Sequence, residues 1–230
     1  MEMSIWRWED ERWQVADDEF RRSVEHAVLA CPGPSLREAA PHIHSVCGRV
    51  VIGMNRAYPT VTPDIWVTMA PPRCFESFAQ VWDQPFPKLL RGGFPEAEIN
   101  GVKVRTLSGV YFMDIVDSIG PSAMFDNLAG GVAFHWNKST ILAALHLALW
   151  MGAKRVYFVG ADFGGPRDYC DDTCLSGKDR LRMKQCLAMQ LEHLRILARQ
   201  TDAHGLEFVS CTPDSPLNDM MPYVALEDAL

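Results

Sequence analysis

The stretch that most limits how this chain can fold is residues 139–163, STILAALHLALWMGAKRVYFVGADF, an apolar helix feeding straight into an apolar strand. From Ile141 to Met151 only His146 is polar, so the helix has no wet face and has to be buried all round. Gly152 stops it, and Lys154 and Arg155 place cations at its C-terminal end, where the helix dipole favours them. The run Val156-Tyr157-Phe158-Val159 is β-branched and aromatic and is bounded by Gly160. It reads as a strand covered on both faces, which in practice means a parallel sheet. Asp162 then falls at the carboxyl end of that strand, where open α/β sheets bind ligands, and its carboxylate is the first candidate functional group.

Other strands follow the same logic. His26 to Cys31 is apolar and runs into Pro32-Gly33-Pro34-Ser35, where Gly33 permits a tight turn and Pro34 suits a first helical position. Ser35 offers a hydroxyl and an N–H at that helix start, an arrangement able to hold an anion or to serve as a plain strand-to-helix turn. Arg49 to Met54 is a second strand ending on Asn55, whose amide can read a base or ribose edge or simply form the turn. Ile65 to Met69 is a third, and residues 73–82 read as helical. A long helix is predicted from about Asp179 to Gln200, followed by a strand at Glu207 to Cys211 that leads into Thr212 to Ser215.

Strands alternating with helices predict one α/β domain spanning 1–230, a Rossmann-like, doubly wound, mostly parallel sheet with helices on both faces. Its core is expected in 24–82 and 137–217. Residues 83–136 are broken by Pro85, Pro87, Gly92-Gly93 and Pro95 and read as a loop-rich insertion or lid, with a hairpin signal at Asn100-Gly101. The first 23 residues, rich in tryptophan and charge, read as an amphipathic segment laid across the surface. Gly33 to Ser35, Asn55, Asp162 and Thr212 to Ser215 each follow a strand, so the topology is expected to gather them on one rim.

A net charge of −7 gives no excess of cations to replace the counterions of a nucleic acid, so nucleic acid is not the expected partner. No apolar run reaches about 18 residues free of charge, and the N-terminus is acidic and aromatic rather than signal-like, which points to a cytoplasmic protein without a membrane span. Seven scattered cysteines suit reduced thiols. Cys170 and Cys174 lack the second pair that a structural zinc site wants, so a loop is the simpler reading. Neither GxxxxGK[ST], GxGxxG nor GxSxG occurs. His146 reads as a buried core histidine, whereas His135, just before the buried helix, is the best-placed general base. Ser139 and Thr140 present hydroxyls and N–H groups at the positive end of that helix, as an anion site, as N-caps, or as both.

Four blocks, ACPGPSL, GMNRAYP with PDIWVT, NKSTILAALHLALWMGAKRVYFVGADF and SCTPDSPL, resemble in order and spacing the bacterial sialyltransferases of glycosyltransferase family 42. They equally resemble the related motility accessory factors and 6-hydroxymethylpterin pyrophosphokinase-like proteins of the DUF115 type. The resemblance implies that Gly33, Pro34 and Ser35 cradle phosphate or ribose, that Asn55 contacts the nucleotide, and that Ser139 and Thr140 bind its base or phosphate end. It further implies that Gly160 and Asp162 line the nucleoside pocket, with Asp162 accepting ribose hydroxyl protons, and that Tyr169 supports the leaving phosphate. Three positions depart from the family: Pro32 replaces an asparagine, Gly164 replaces a tyrosine, and the catalytic histidine has no counterpart, Lys178 and Arg180 being nearby.

The leading expectation is a nucleotide-dependent, sialyltransferase-like transferase that moves a sugar from a CMP-type nucleotide donor to an acceptor hydroxyl. His135 or an aspartate would act as base, with Arg167, Lys178 or Tyr169 neutralising the departing phosphate. Two alternatives stay open. One is Mg²⁺-ATP-dependent diphosphate transfer to a small hydroxymethyl compound, with Asp162 and Asp171 or Asp172 around the metal. The other is nucleotide binding without turnover. The acceptor and the state of homo-oligomerisation are left open.

Overall fold

The computed structural model describes residues 4–21, 24–46, 48–116, 120, 122–126, 128, 133–136, 138–164, 169–170 and 176–229. In chain order the strands are β1 (Ile5–Glu9), β2 (Arg12–Val15), β3 (His26–Ala30), β4 (Arg49–Met54), β5 (Ile65–Thr68), β6 (Lys88–Arg91), β7 (Glu98–Ile99), β8 (Val102–Lys103), β9 (Val110–Met113), β10 (Ile115–Val116), β11 (Phe134–His135), β12 (Arg155–Val159) and β13 (Glu207–Ser210). The α-helices are α1 (Asp17–Phe20), α2 (Leu36–Ala39), α3 (Ala123–Asp126), α4 (Thr140–Trp150) and α5 (Gly177–Ala198). Residues Pro72–Val81, read as helical, form 3₁₀ turns kinked at Phe78.

Nine strands make one sheet in the order β13-β12-β3-β4-β5-β6-β9-β1-β2. The seven from β13 to β9 are parallel, as the apolar runs require, and only the β1–β2 hairpin joins antiparallel. The N-terminal segment is therefore an edge hairpin of the sheet rather than a strap laid over the surface. Its turn takes Asp10 and Glu11 into the left-handed region (φ 51° and 59°), as a two-residue hairpin turn demands. Residues 83–136 do more than insert: they supply β6 and β9, two interior strands, besides the loops around them. The hairpin expected at Asn100-Gly101 is formed by β7 and β8, both turn residues having positive φ (50° and 77°).

Alternate residues of each parallel strand feed two faces. Ala27, Leu29, Val50, Ile52, Val156 and Phe158 pack against α4, while Val28, Ala30, Val51, Tyr157 and Val159 meet Leu36, Ile43 and Leu226 on the other side. Further along that second face Trp66, Leu90 and Phe112 close over the 72–81 turns. In α4 every residue from Ile141 to Leu149 is buried, because β3, β4, β5, β11 and α5 all touch it. Its four buried leucines each contribute about 2 kcal/mol of apolar burial. Parallel pairing brings the carboxyl ends of β12, β3, β4, β5, β6 and β9 to one rim, so the turns after them face the same side. No helix among the described residues is long and apolar enough to cross a membrane.

Candidate functional site

The turns after β3 and β12 interlock at the middle of the rim. The Gly33 N–H donates to the Gly160 carbonyl (2.9 Å), and the Ser35 N–H and Oγ–H both donate to Asp162 Oδ2 (3.2 and 2.9 Å). Gly33 is obligatory: a Cβ there would stand 2.0 Å from Asp162 Oδ2 and 2.4 Å from the Gly160 carbonyl oxygen. Gly160 adopts φ +69°, and a Cβ on it would meet the Cys31 carbonyl oxygen at 2.4 Å. Burial pushes the half-buried Asp162 carboxyl up in pKa, and the two bonds from Ser35 pull it back toward the ionised form.

This geometry changes what the first turn can do. Pro34 lies outside the helix, since Ser35 is the N-cap of α2, and α2 has only four residues. A helix that short brings little dipole, and the donors that Ser35 was expected to offer an anion are already engaged by Asp162. The Thr212 to Ser215 turn is equally committed. Thr212 Oγ1 accepts from the Ala161 N–H (3.0 Å) and Ser215 Oγ–H donates to the Ala161 carbonyl (2.7 Å), both hydroxyls being buried. Those two residues hold the Gly160-Ala161-Asp162 turn from below rather than lining an open site.

Asn55, two strands from β12, follows β4 in the left-handed region (φ 48°). Its carbonyl accepts from Trp66 Nε1–H (2.7 Å), and its side-chain Oδ1 accepts from Thr68 Oγ1–H (2.8 Å). Thr68 Oγ1 in turn accepts from the Ala70 N–H (3.2 Å), which directs its own proton at Asn55. This relay fixes the amide with Oδ1 inward and leaves its NH₂ group outside the relay. Sequence reading missed Thr68 because a threonine in an apolar strand carries no signal until its partner is known. Tyr169 lies close by: the Arg56 guanidinium sits 5.9 Å from its ring, and the Cys170 N–H donates to the Pro32 carbonyl (2.8 Å), drawing this segment to the first turn.

At the head of α4 the outcome is mixed. Ser139 is the N-cap residue, but its hydroxyl makes no capping bond and is buried without a partner among the described residues, so the capping role is not realised. Thr140 is half-buried beside it. His135 is fully buried on β11, its ring 5.2 Å from that of His146, and its N–H donates to His146 Nδ1 (2.8 Å). Burial lowers the pKa of both, that of His146 to about 3, with His135 adding to the shift. A general base has to reach its proton, and a ring with no exposed surface does not, so the expectation for His135 is corrected by packing. Lys178 is exposed in the first turn of α5 and has no hydrogen bond or ion pair to the rim among the described residues. Arg167, Asp168, Asp171, Asp172 and Cys174 lie outside the described residues. Among the described residues no group of three or more His, Cys, Asp or Glu side chains could hold a metal ion.

A cavity lies on the same rim beyond β5. Arg91, Gly92, Gly93, Asp114, Ile115 and Trp136 line a cavity of about 350 Å³. Arg91 ends β6 and stacks on Phe94 and Trp136, with its guanidinium carbon 4.4 and 4.8 Å from the ring centres. Asp114 follows β9, and its Oδ2 accepts from Trp6 Nε1–H (3.1 Å). Sequence reading missed this cluster. Its only local trace is Lys-Leu-Leu-Arg between Pro87 and Gly92, too short to show a period.

No known protein family matches the chain by sequence, and no curated protein does either. Solved structures do. The sialyltransferase CstII from Campylobacter jejuni, in complex with the substrate analogue CMP-3FNeuAc, superposes with a TM-score of 0.53 at 16% identity, over 90% of this chain and 89% of that one. The same enzyme with cytidine-5'-monophosphate gives 0.51 at 13% identity, over 89% and 86%. The chain therefore has a sialyltransferase-like fold.

Proposed function

We propose that this chain is a nucleotide-dependent transferase that moves a sugar from a CMP-type donor to an acceptor hydroxyl. The observation that carries the reading is Asp162. Ser35 holds its Oδ2 and the Thr212–Ser215 clamp fixes its turn, so its half-buried carboxylate at the rim between β12 and β3 is the group assigned to the ribose hydroxyls. The Asn55 NH₂ group, oriented through Thr68, supplies a donor to the same nucleotide. The fold supports the same assignment, since CstII with this fold was solved with CMP and with a CMP-sugar analogue.

In the transfer, the bond between the anomeric carbon and the phosphate oxygen breaks and the acceptor oxygen bonds to that carbon. The nucleoside monophosphate leaves with the electron pair, and the acceptor proton passes to a base. Burial takes His135 out of reach, so the base is assigned to a rim carboxylate, Asp114, which lines the cavity after β6 and β9. Tyr169 and Arg56 are placed to steady the leaving phosphate, with Ser139 and Thr140 further along the rim.

Calorimetric titration with CMP, UDP, GDP and ATP, each with and without Mg²⁺, tests the proposal. CMP should bind without metal, and Asp162→Ala should weaken it at least about tenfold, or 1.4 kcal/mol. Binding only of Mg²⁺-ATP would replace this reading with diphosphate transfer. CMP binding with no turnover of any CMP-sugar would reduce it to a binding module.

A further inference from the structure

We infer that β2 is a docking edge for a second copy of this chain, the two β2 strands running antiparallel about a two-fold axis at Gln14. The two edges of the nine-stranded sheet are finished differently. Beyond β13 the chain returns: the Ser210 N–H donates to the Pro222 carbonyl (2.9 Å) and the Val224 N–H to the Ser210 carbonyl (3.0 Å), which covers that edge. β2 ends the sheet on the other side, and no described strand lies beyond it. Soluble proteins blunt an open edge with lysine, proline or a bulge. β2 has none of these, and its register against β1 runs unbroken from Arg12 to Val15. Two of its four residues, Trp13 (42% exposed) and Val15 (56%), are large, apolar and open to solvent.

Backbone parity fixes what that edge offers. The Ala16 N–H donates to the Ile5 carbonyl (2.7 Å), so Gln14 and Arg12 also turn their backbone groups toward β1, and those of Trp13 and Val15 point outward. An antiparallel copy centred on Gln14 sets Trp13 opposite Val15 of the second copy, and each such pair exchanges both outward bonds. The side chains fit the same register. Trp13 and Val15 share one face of the strand, so each exposed indole meets an exposed valine. Trp13 is already seated edge-on against Trp8 and Phe112, with ring centres 5.2 and 5.6 Å apart, and loses little freedom on docking. Charge fits as well. Arg12 is exposed and has no ion-pair partner among the described residues. It comes opposite Ala16 of the second copy, beside the acidic first turn of α1 with Asp17, Asp18 and Glu19. An axis at Trp13 would bury each valine against Glu11, and one at Val15 would set Trp13 against Asp17, where the strand has ended. β2 stands at the far end of the sheet from β12 and β3, so the pairing leaves the proposed nucleotide turns open and does not depend on what they bind.

Sedimentation velocity of the full chain over a concentration series reaching about 200 µM tests the pairing. The mass should rise from 25.8 kDa toward twice that value, and Val15→Lys, a change at an exposed site, should weaken association at least about tenfold. The register is read separately by cross-linking. Gln14→Cys should form a disulfide between copies on treatment with diamide, above the wild-type background, because partners that are not hydrogen-bonded have Cα atoms about 4.5 Å apart. Arg12→Cys should not, since its two copies would stand roughly 13 Å apart. A wild type that stays monomeric throughout, association unchanged by Val15→Lys, or equal cross-linking at Arg12 and Gln14 each overturns the pairing. Wild type that is monomeric but floats with phosphatidylcholine–phosphatidylglycerol vesicles, and loses this in Val15→Lys, overturns it in favour of a membrane-facing edge. The cross-link decides the matter even if Val15→Lys fails to fold.

Discussion

Strand β6 carries a cation at each end, and the two have opposite fates. Lys88, at the start, is fully buried, and its ammonium donates to the carbonyls of Gln84 (2.6 Å), Phe86 (3.2 Å) and Ser108 (3.1 Å). Arg91, at the end, is braced by rings, and among the described residues it has no ion-pair partner. All three ammonium donors at Lys88 close the loops before β6 and β9, so that end of the sheet is sealed. At the carboxyl end the charge is oriented by rings and, among the described residues, has no ion-pair partner. The same contrast recurs along the rim, where Thr212 and Ser215 are committed to Ala161 while the Asn55 NH₂ group is left out of the internal network. Polar groups joined to the backbone hold the fold, and those positioned without a hydrogen-bond partner among the described residues are the ones the proposed function gives to a ligand.

The contrast is broken most directly at Lys88. Lys88→Met should strand three carbonyls and cost about 3 kcal/mol, lowering the melting temperature by roughly 6–12 °C, whereas Arg91→Gln should cost under about 1 kcal/mol. Equal losses at the two positions, read by calorimetry, would erase the distinction. The lysine also has a pH signature. Burial lowers its pKa from 10.5 to about 8 in the folded chain, against the pull of Asp83. The unfolded chain therefore binds more protons between those values, and wild type should gain stability relative to Lys88→Met as pH rises from about 8 to about 10.5.

A smaller effect is expected at His146. Its folded pKa of about 3 lies below the ordinary 6.5, so the unfolded chain takes up the proton first and stability is lost as pH falls below about 6.5. At pH 5 the loss should be about 2 kcal/mol, and it should be absent from the pH profile of His146→Leu, whatever that variant costs at pH 7. A wild-type profile parallel to that of the leucine variant would mean that the pair opens to solvent. The smallest effect is at Thr68. Thr68→Val removes the bond to Asn55 and the acceptor for Ala70, at about 1 kcal/mol. It should weaken CMP about fivefold, and undiminished CMP affinity would take Asn55 out of the nucleotide site.

Much of the frame was legible. The interiors of β3, β4, β5, β12 and β13 are apolar (Ala27–Ala30, Val50–Met54, Ile65–Val67, Val156–Val159 and Phe208–Val209), and such runs read as strands covered on both faces. The same holds for α4, which has no polar face to expose. β6 and β9 were hidden because four residues bounded by proline and glycine show neither alternation nor length. The first 23 residues misled because tryptophans among charges suit a surface strap as well as an edge hairpin. Of the candidate residues, Gly33, Ser35, Gly160 and Asp162 do converge, but Ser35 serves Asp162 rather than a free anion, and His135 is enclosed.

Local sequence settled which segments had to be buried strands and helices, because burying apolar surface depends on residue type and period alone. It also settled that Asn55 and Asp162 would end parallel strands and share a rim. Which polar groups would pair with one another was decided only in three dimensions. Ser35 and Asp162 are 127 positions apart and Ala161 and Ser215 are 54, and a hydrogen bond depends on distances of a few tenths of an ångström that no sequence spacing encodes. The same geometry set the Arg91 guanidinium against Phe94 and Trp136, a contact between strand end and loop that no spacing in the sequence announces.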